Sequence, residues 1–202
     1  METQRLVLRS FTPADFDDLY RLLYADEEVA RWWTGRTCDR EDVWERFTTE
    51  PVWRLRGGYG FRALVRKGDG VFLGLMGFQR FEPDEDLSYV ELPSHVQPIG
   101  AEGIDAELTY AVGRQYQRQG YASEAAAGML ELGFRDPAIA RVINIVDSRN
   151  TGTIALMQRF GFAFVPNLRS SRDWPSVVGI LERPQLAEPT VSRSHCESSS
   201  QG

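Results

Sequence analysis

QYQRQGYASEAAAGMLELGF, from Gln115 to Phe134, is the stretch from which the rest of the chain can be read. It follows a strand-like run, Glu107 to Val112, and passes through a polar turn at Gly120 into an apolar segment of helical spacing. Ala122, Ala125, Ala126, Met129, Leu130 and Gly133 recur at intervals of three and four, which sets them on one helix face. The turn therefore lies at a helix N-terminus, where backbone N–H groups lack intrahelical partners and the peptide dipoles add partial positive charge. Such a start is a receptor for phosphate. Gly120, without a Cβ, permits a positive φ or a close anion, Ala122 stays small, and Gln117, Arg118 and Gln119 add donors. A glycine at a loop-to-helix junction is common, so this pattern needs a second signal.

That signal lies downstream. A strand-like run, Arg141 to Val146, follows the breaker Pro137, then Asn150-Thr-Gly-Thr153 opens another helix, and Phe160-Gly161-Phe162 closes it with glycine at a favoured stop. The order is strand, anion-binding turn, helix, strand, Asn-capped helix, Gly-Phe, strand.

With these motifs in this order the sequence resembles the GNAT superfamily of acyl-coenzyme A dependent N-acetyltransferases, and more narrowly its RimJ/RimL-type branch. The family's diphosphate pattern matches Gln117, Gly120 and Ala122. Its Asn-x-x-Ser/Thr, helix, Gly-Phe pattern matches Asn150, Thr153, Gly161 and Phe162. Arg5-Leu-Val-Leu-Arg9 with Thr12-Pro-Ala-Asp15, and Glu107-Leu-Thr-Tyr110, resemble that branch too. The resemblance implies a single α/β domain over residues 1–183, with a mixed, mostly antiparallel central sheet flanked by helices. Residues 184–202, rich in Ser, Pro and Glu, are expected to be a disordered tail.

Length and charge agree with that frame. A chain of 202 residues with 42% hydrophobic content can bury the core of one domain. No apolar run is long enough for a membrane span, and METQRLVLRS lacks a signal-peptide core, so cytoplasmic residence is the expectation. Cys38 and Cys196, His95 and His195 are solitary, so no metal site is expected. A net charge of -6 argues against nucleic acid and permits a cationic acceptor. The partners expected are a small-molecule or peptide amine, with a homodimer left open.

Along the chain, residues 4 to 9 read as a strand. Thr12 offers an N-cap oxygen, Pro13 fits the first helical position, and Asp15, Asp17 and Asp18 form a solvated acidic face. Trp32, Trp33 and Trp44 are core packing or, as a cluster, an acceptor wall, with Trp32 and Trp33 the substrate-binding candidates. Tyr59 to Arg66 and Val71 to Phe81 read as strands joined by a hairpin at Lys67-Gly-Asp-Gly70, and Gly74 and Gly77 mark close backbone approach. The acidic stretch 82–103 is read either as a loop beside the acceptor or as a solvated loop. Phe162 to Val165 and Val177 to Leu181 close the sheet.

The resemblance implies acetyl-coenzyme A as cosubstrate. Its holders would be backbone groups of Tyr110, Ala111 and Val112, with Asn144 to Val146 opposite, the turn residues Gln117, Arg118, Gln119, Gly120, Tyr121, Ala122 and Ser123, and Asn150. An N–H near Val112 would polarise the thioester carbonyl. Asn150 is a pantetheine ligand or simply an N-cap, a role Ser148 could also take. Many members of the superfamily have a proton-donating Tyr where this chain has Met157; the RimJ/RimL branch generally lacks it too, which leaves the Thr153 hydroxyl as relay or as a helix cap. Glu107 is the candidate general base, with Thr109 and Ala111 on its face, or a structural carboxylate. Relatives commonly have Gly at Arg118, so its backbone is expected to take a non-glycine conformation. The competing reading is a catalytically weak or inactive coenzyme-binding sensor or interaction module. A nucleotide-binding protein fits worse, because neither glycine signature of that class is present.

Overall fold

In Leu6–Arg9 (β1) the apolar side chains alternate with partly exposed ones, and Leu6 and Leu8 are buried. β1 pairs antiparallel with β2 (Gly60–Arg66), which turns through residues 67–70 into β3 (Phe72–Arg80). β3 pairs antiparallel with β4 (Ile104–Val112), and β4 pairs in parallel with β5 (Ile139–Asp147). β7 (Ser176–Glu182) then inserts between β5 and β6 (Ala163–Pro166), giving a seven-stranded sheet in the order β1-β2-β3-β4-β5-β7-β6. The computed structural model describes residues 1–54, 59–80, 104–167 and 170–183. The acidic stretch 82–103, Gly57-Gly58 and the tail 184–202 lie outside the described residues.

Among the described residues, five helices cover the sheet. α1 (Phe16–Leu19) runs on as a π turn over Tyr20–Tyr24, followed by α2 (Glu27–Trp33) and α3 (Arg40–Thr49). α4 (Tyr121–Gly133) is the parallel crossover between β4 and β5, and α5 (Thr151–Gln158) follows β5. The even residues of β4, Ala106, Leu108 and Val112, share a core with Met129 of α4 and Met157 of α5. Ala111, on the opposite face, joins Phe16, Leu23, Val29, Val43 and Phe47 of the α1–α3 layer. This alternation places every β4 side chain on one side or the other.

Gly74 and Gly77 are demanded by backbone approach: a Cβ at Gly74 would lie 2.1 Å from the Ala111 carbonyl oxygen, and one at Gly77 would lie 2.2 Å from that of Gly60. One expectation fails at the first helix. Asp15 is not solvated but 6% exposed, and both its oxygens take a fork from Arg9 at 2.7 Å. Its carboxylate also accepts from the N–H and hydroxyl of Thr12, at 2.8 and 2.9 Å. Thr12 is the N-cap as expected, and with Asp15 three residues on it forms a capping box in which each end receives the other's N–H.

Candidate functional site

The parallel β4–β5 ladder ends at Glu107 and Ile143. Beyond it β4 stays paired with β3 as far as Val112, and β5 with β7 as far as Asp147, so Leu108–Val112 and Asn144–Asp147 diverge as two unpaired edges facing each other. Edge N–H and C=O groups of this kind require partners. Below the split the strands are pinned by a buried fork from Arg141 to Asp105, at 2.8 and 2.9 Å. At its mouth the Asn144 amide donates to the Leu108 carbonyl at 2.9 Å.

The chain leaves β4 through a short turn at Arg114–Tyr116 and enters α4 at Gly120, whose φ is +83°. Arg118 corrects the expectation of a non-glycine conformation: its φ is +58°, the left-handed region glycine would occupy. An L-residue there is disfavoured by roughly 1–2 kcal/mol, so the turn imposes the shape. The first helical bond runs from the Glu124 N–H to the Gly120 carbonyl at 3.0 Å. Among the described residues, the N–H groups of residues 118–123 have no backbone acceptor. They end at the positive pole of a helix, an arrangement suited to phosphate oxygens.

The turn is braced from several sides. The Gln117 amide donates to the Val112 carbonyl at 2.9 Å, and that of Gln119 donates to the Gln115 carbonyl at 2.9 Å. Both side chains thus spend a donor on shaping the loop. Arg5, absent from the sequence candidates for this turn, donates to the Gln119 carbonyl at 3.0 Å and to Glu124 at 2.7 Å, and its guanidinium stacks 4.6 Å from the Tyr121 ring centre. Glu124 also accepts from the Thr3 hydroxyl and the Arg5 N–H. Burial alone would raise the Glu124 pKa, but these hydrogen bonds hold it below the usual glutamate range. Arg66 reaches the Tyr121 hydroxyl at 3.4 Å and adds positive charge to the same rim. The signals for this brace were an Arg just before β1 and an acidic residue in the first turn of α4; only the fold brings them together.

At the start of α5 the Asn150 side-chain oxygen accepts from the Thr153 N–H at 3.2 Å, so Asn150 is the N-cap. Ser148, two residues earlier, does not take that role. The Tyr110 hydroxyl, from β4, donates to the Thr153 hydroxyl at 3.0 Å. Burial pushes Tyr110 up to about 12, with the Thr153 bond pulling the other way. The phenol of Tyr110 went unread in the sequence, where only its backbone was considered. Met157 is fully buried in the core.

Glu107, Thr109 and Ala111 lie on the other face, toward the α1–α3 layer, with Thr109 accepting from Gln79 at 3.4 Å. Glu107 is partly buried. The three tryptophans part company. Trp32 is 37% exposed beneath the Arg31 guanidinium, and Trp33 packs edge-on against Tyr24 and Phe61. Trp44 is exposed and meets Phe16. Among the described residues no two of these three rings touch, so the expected cluster does not form. A cleft of about 680 Å³ opens between the π turn, α2 and α3, with Tyr20, Glu27, Arg36, Asp42 and Arg46 in its lining. None of its lining residues belongs to the split or the Gly120 turn. Among the described residues no group of side chains could hold a metal ion, and no helix is long and apolar enough to cross a membrane.

Known proteins resemble this chain in sequence and in fold. The family described as acetyltransferase (GNAT) domain matches residues 5–163. The uncharacterized protein YkkB of Bacillus subtilis strain 168 is 25% identical over 186 residues, covering 90% of this chain and 93% of YkkB. A GNAT-family acetyltransferase from Bacillus anthracis superposes with a TM-score of 0.66 at 18% identity, covering 92% of this chain and 99% of that one. Aminoglycoside acetyltransferase AAC(6')-Ib, solved in complex with coenzyme A, gives 0.60 at 18% identity, covering 88% of this chain and 95% of its own. At that identity the two structures speak for the fold alone. The family match runs from β1 to the start of β6, well over half of the chain, which therefore belongs to the acetyltransferase (GNAT) domain family.

Proposed function

We propose that this protein transfers an acetyl group from acetyl-coenzyme A directly to a primary amine in a ternary complex. Family membership implies an acyltransferase; the finer reading is supported above all by one observation. The unpaired edges of β4 and β5 open beside a helix start whose N–H groups, over residues 118–123, have no backbone acceptor among the described residues. A diphosphate suits the amides, and an extended amide-bearing arm suits the strand edges, at Tyr110 to Val112 and Asn144 to Val146. The cradle has little spare room for a side chain: a Cβ at Gly120 would already lie 3.2 Å from the Arg5 guanidinium. When bound, the thioester would supply the activated acyl group.

The chain's own residues divide the remaining work across the sheet. Glu107, partly buried on the α1–α3 face, is our candidate for taking a proton from the acceptor amine. A backbone N–H near Val112 is the candidate to stabilise charge on the carbonyl oxygen. Tyr110 and Thr153, on the α4–α5 face, form a hydroxyl pair. With Tyr110 at about 12, giving a proton outright to a thiolate of ordinary pKa would be uphill by roughly 5 kcal/mol. Their role in this reading is to hold and orient a proton, with solvent as its source.

The amine remains to be assigned among a protein N-terminus, as the RimJ/RimL resemblance suggests, an aminoglycoside-like antibiotic, or a small metabolite, with the reaction set in the cytoplasm. Met157, fully buried and unable to donate a proton, favours the second reading, a coenzyme-binding module with little or no turnover. Incubating the protein with acetyl-coenzyme A and a panel of amines, and following free thiol, separates the two. Amine-dependent thiol release is expected. Tight coenzyme binding without release for any amine would favour the module.

A further inference from the structure

Asn144 stands on the face of β5 that carries Val142 and Val146 and is 5% exposed. It is the first β5 residue past the last parallel pair. Its Nδ2 donates across the split to the Leu108 carbonyl at 2.9 Å, while its Oδ1, equally buried, meets no donor in the protein. The orientation of the amide is fixed by that bond, because the flipped form would set two oxygens against each other. A buried carboxamide oxygen without a donor is destabilising, and an aliphatic residue of similar size would avoid the penalty. The protein nevertheless places Asn at the point where the sheet opens. The next polar groups on that face are the Tyr110 hydroxyl, two residues beyond Leu108, and its partner Thr153.

We infer that Asn144 is a positioning residue for the arm of the acyl donor: Oδ1 receives an amide N–H from a chain threaded between β4 and β5, while Nδ2 holds the strands at the mouth. This rests on the donor reading above and deepens it, by assigning one side chain to the arm rather than to the diphosphate. The amides of residues 118–123 would grip the nucleotide end whether or not Asn144 is present. Loss of the carboxamide should therefore act on the arm alone.

The test compares two probes by titration calorimetry: coenzyme A, and adenosine 3',5'-bisphosphate, which has the nucleotide end and no arm. Asn144→Leu should bind coenzyme A about tenfold more weakly, the scale of one lost buried hydrogen bond, and the bisphosphate within twofold of wild type. Asn144→Ala serves as the second variant if the larger side chain disturbs packing, and the ratio of the two affinities is the readout for both. Unchanged coenzyme A affinity, or an equal loss for both probes as general damage to the sheet would give, overturns the inference. If the wild-type protein binds neither probe, the donor reading fails first and takes this inference with it.

Discussion

The two sides of the central sheet are built from different materials. On the α4–α5 side the site is mostly backbone: two diverging strand edges, a turn with two left-handed residues, and a helix start. The α1–α3 side is mostly aromatic side chain, with Trp53 and Trp33 packed on Phe61, and Trp32 and Trp44 exposed. A backbone site tolerates few residue types at its key positions, whereas an aromatic wall can be assembled from many positions and spacings. On the proposed reading, donor binding is accordingly the more constrained side, and acceptor choice the freer one.

Substitutions that act on one side and spare the other bear on this contrast. The largest effect is expected from Glu107→Gln, which should lower kcat/KM by roughly 10²–10⁴-fold while leaving the coenzyme A dissociation constant within about twofold. An unchanged kcat/KM across pH would move the base elsewhere. Gly120→Val should do the opposite, weakening coenzyme A by about ten- to hundredfold. It forces a β-branched residue to a φ of +83°, at a strain of about 1–3 kcal/mol, and sets a Cβ against Arg5. Titration calorimetry reads both.

Thr153→Val removes the acceptor of the buried Tyr110 hydroxyl, and denaturant melts should show a loss of about 1–3 kcal/mol. If the pair only holds a proton, kcat should fall less than about tenfold.

Acidification gives a smaller effect with a defined sign. The folded pKa of Glu124 lies below its ordinary 4.5, so its contribution is complete above that value and drains away as pH falls through the folded one. The melting temperature should therefore drop between about pH 5 and pH 3, and Glu124→Gln should flatten part of that slope. Asp15, held low by Arg9 and Thr12 against its burial, works in the same direction. The smallest stability change, within about 0.5 kcal/mol, is expected for the exposed Trp32→Ala. Any effect there should appear in the KM for an amine, measured at saturating donor.

What could be read from the sequence follows the same division. Helix spacing in α4, the hairpin at residues 67–70 and the glycines of β3 all follow from local periodicity or backbone conformation, and the structure carries them. Misreadings arose where a distant partner decides. Asp15 reads as surface until Arg9 folds over it, and Arg118 takes a left-handed φ because the turn between β4 and α4 leaves it no other path. The Arg5–Glu124 brace joins residues 119 positions apart, and Asn144 acquires meaning only once the end of the β4–β5 ladder is known. Trp32 and Trp33 looked alike as neighbours, yet adjacent helical positions face different directions, and they share no surroundings.

The account turns on main-chain amides at the start of α4 holding a diphosphate, and amide hydrogen exchange with and without coenzyme A reads those groups one by one. The expected result is slowed exchange concentrated at residues 118–123, with a second zone along Tyr110 to Val112 and Asn144 to Val146. Unaltered exchange in the turn at saturating coenzyme A, or protection elsewhere in its place, would contradict it.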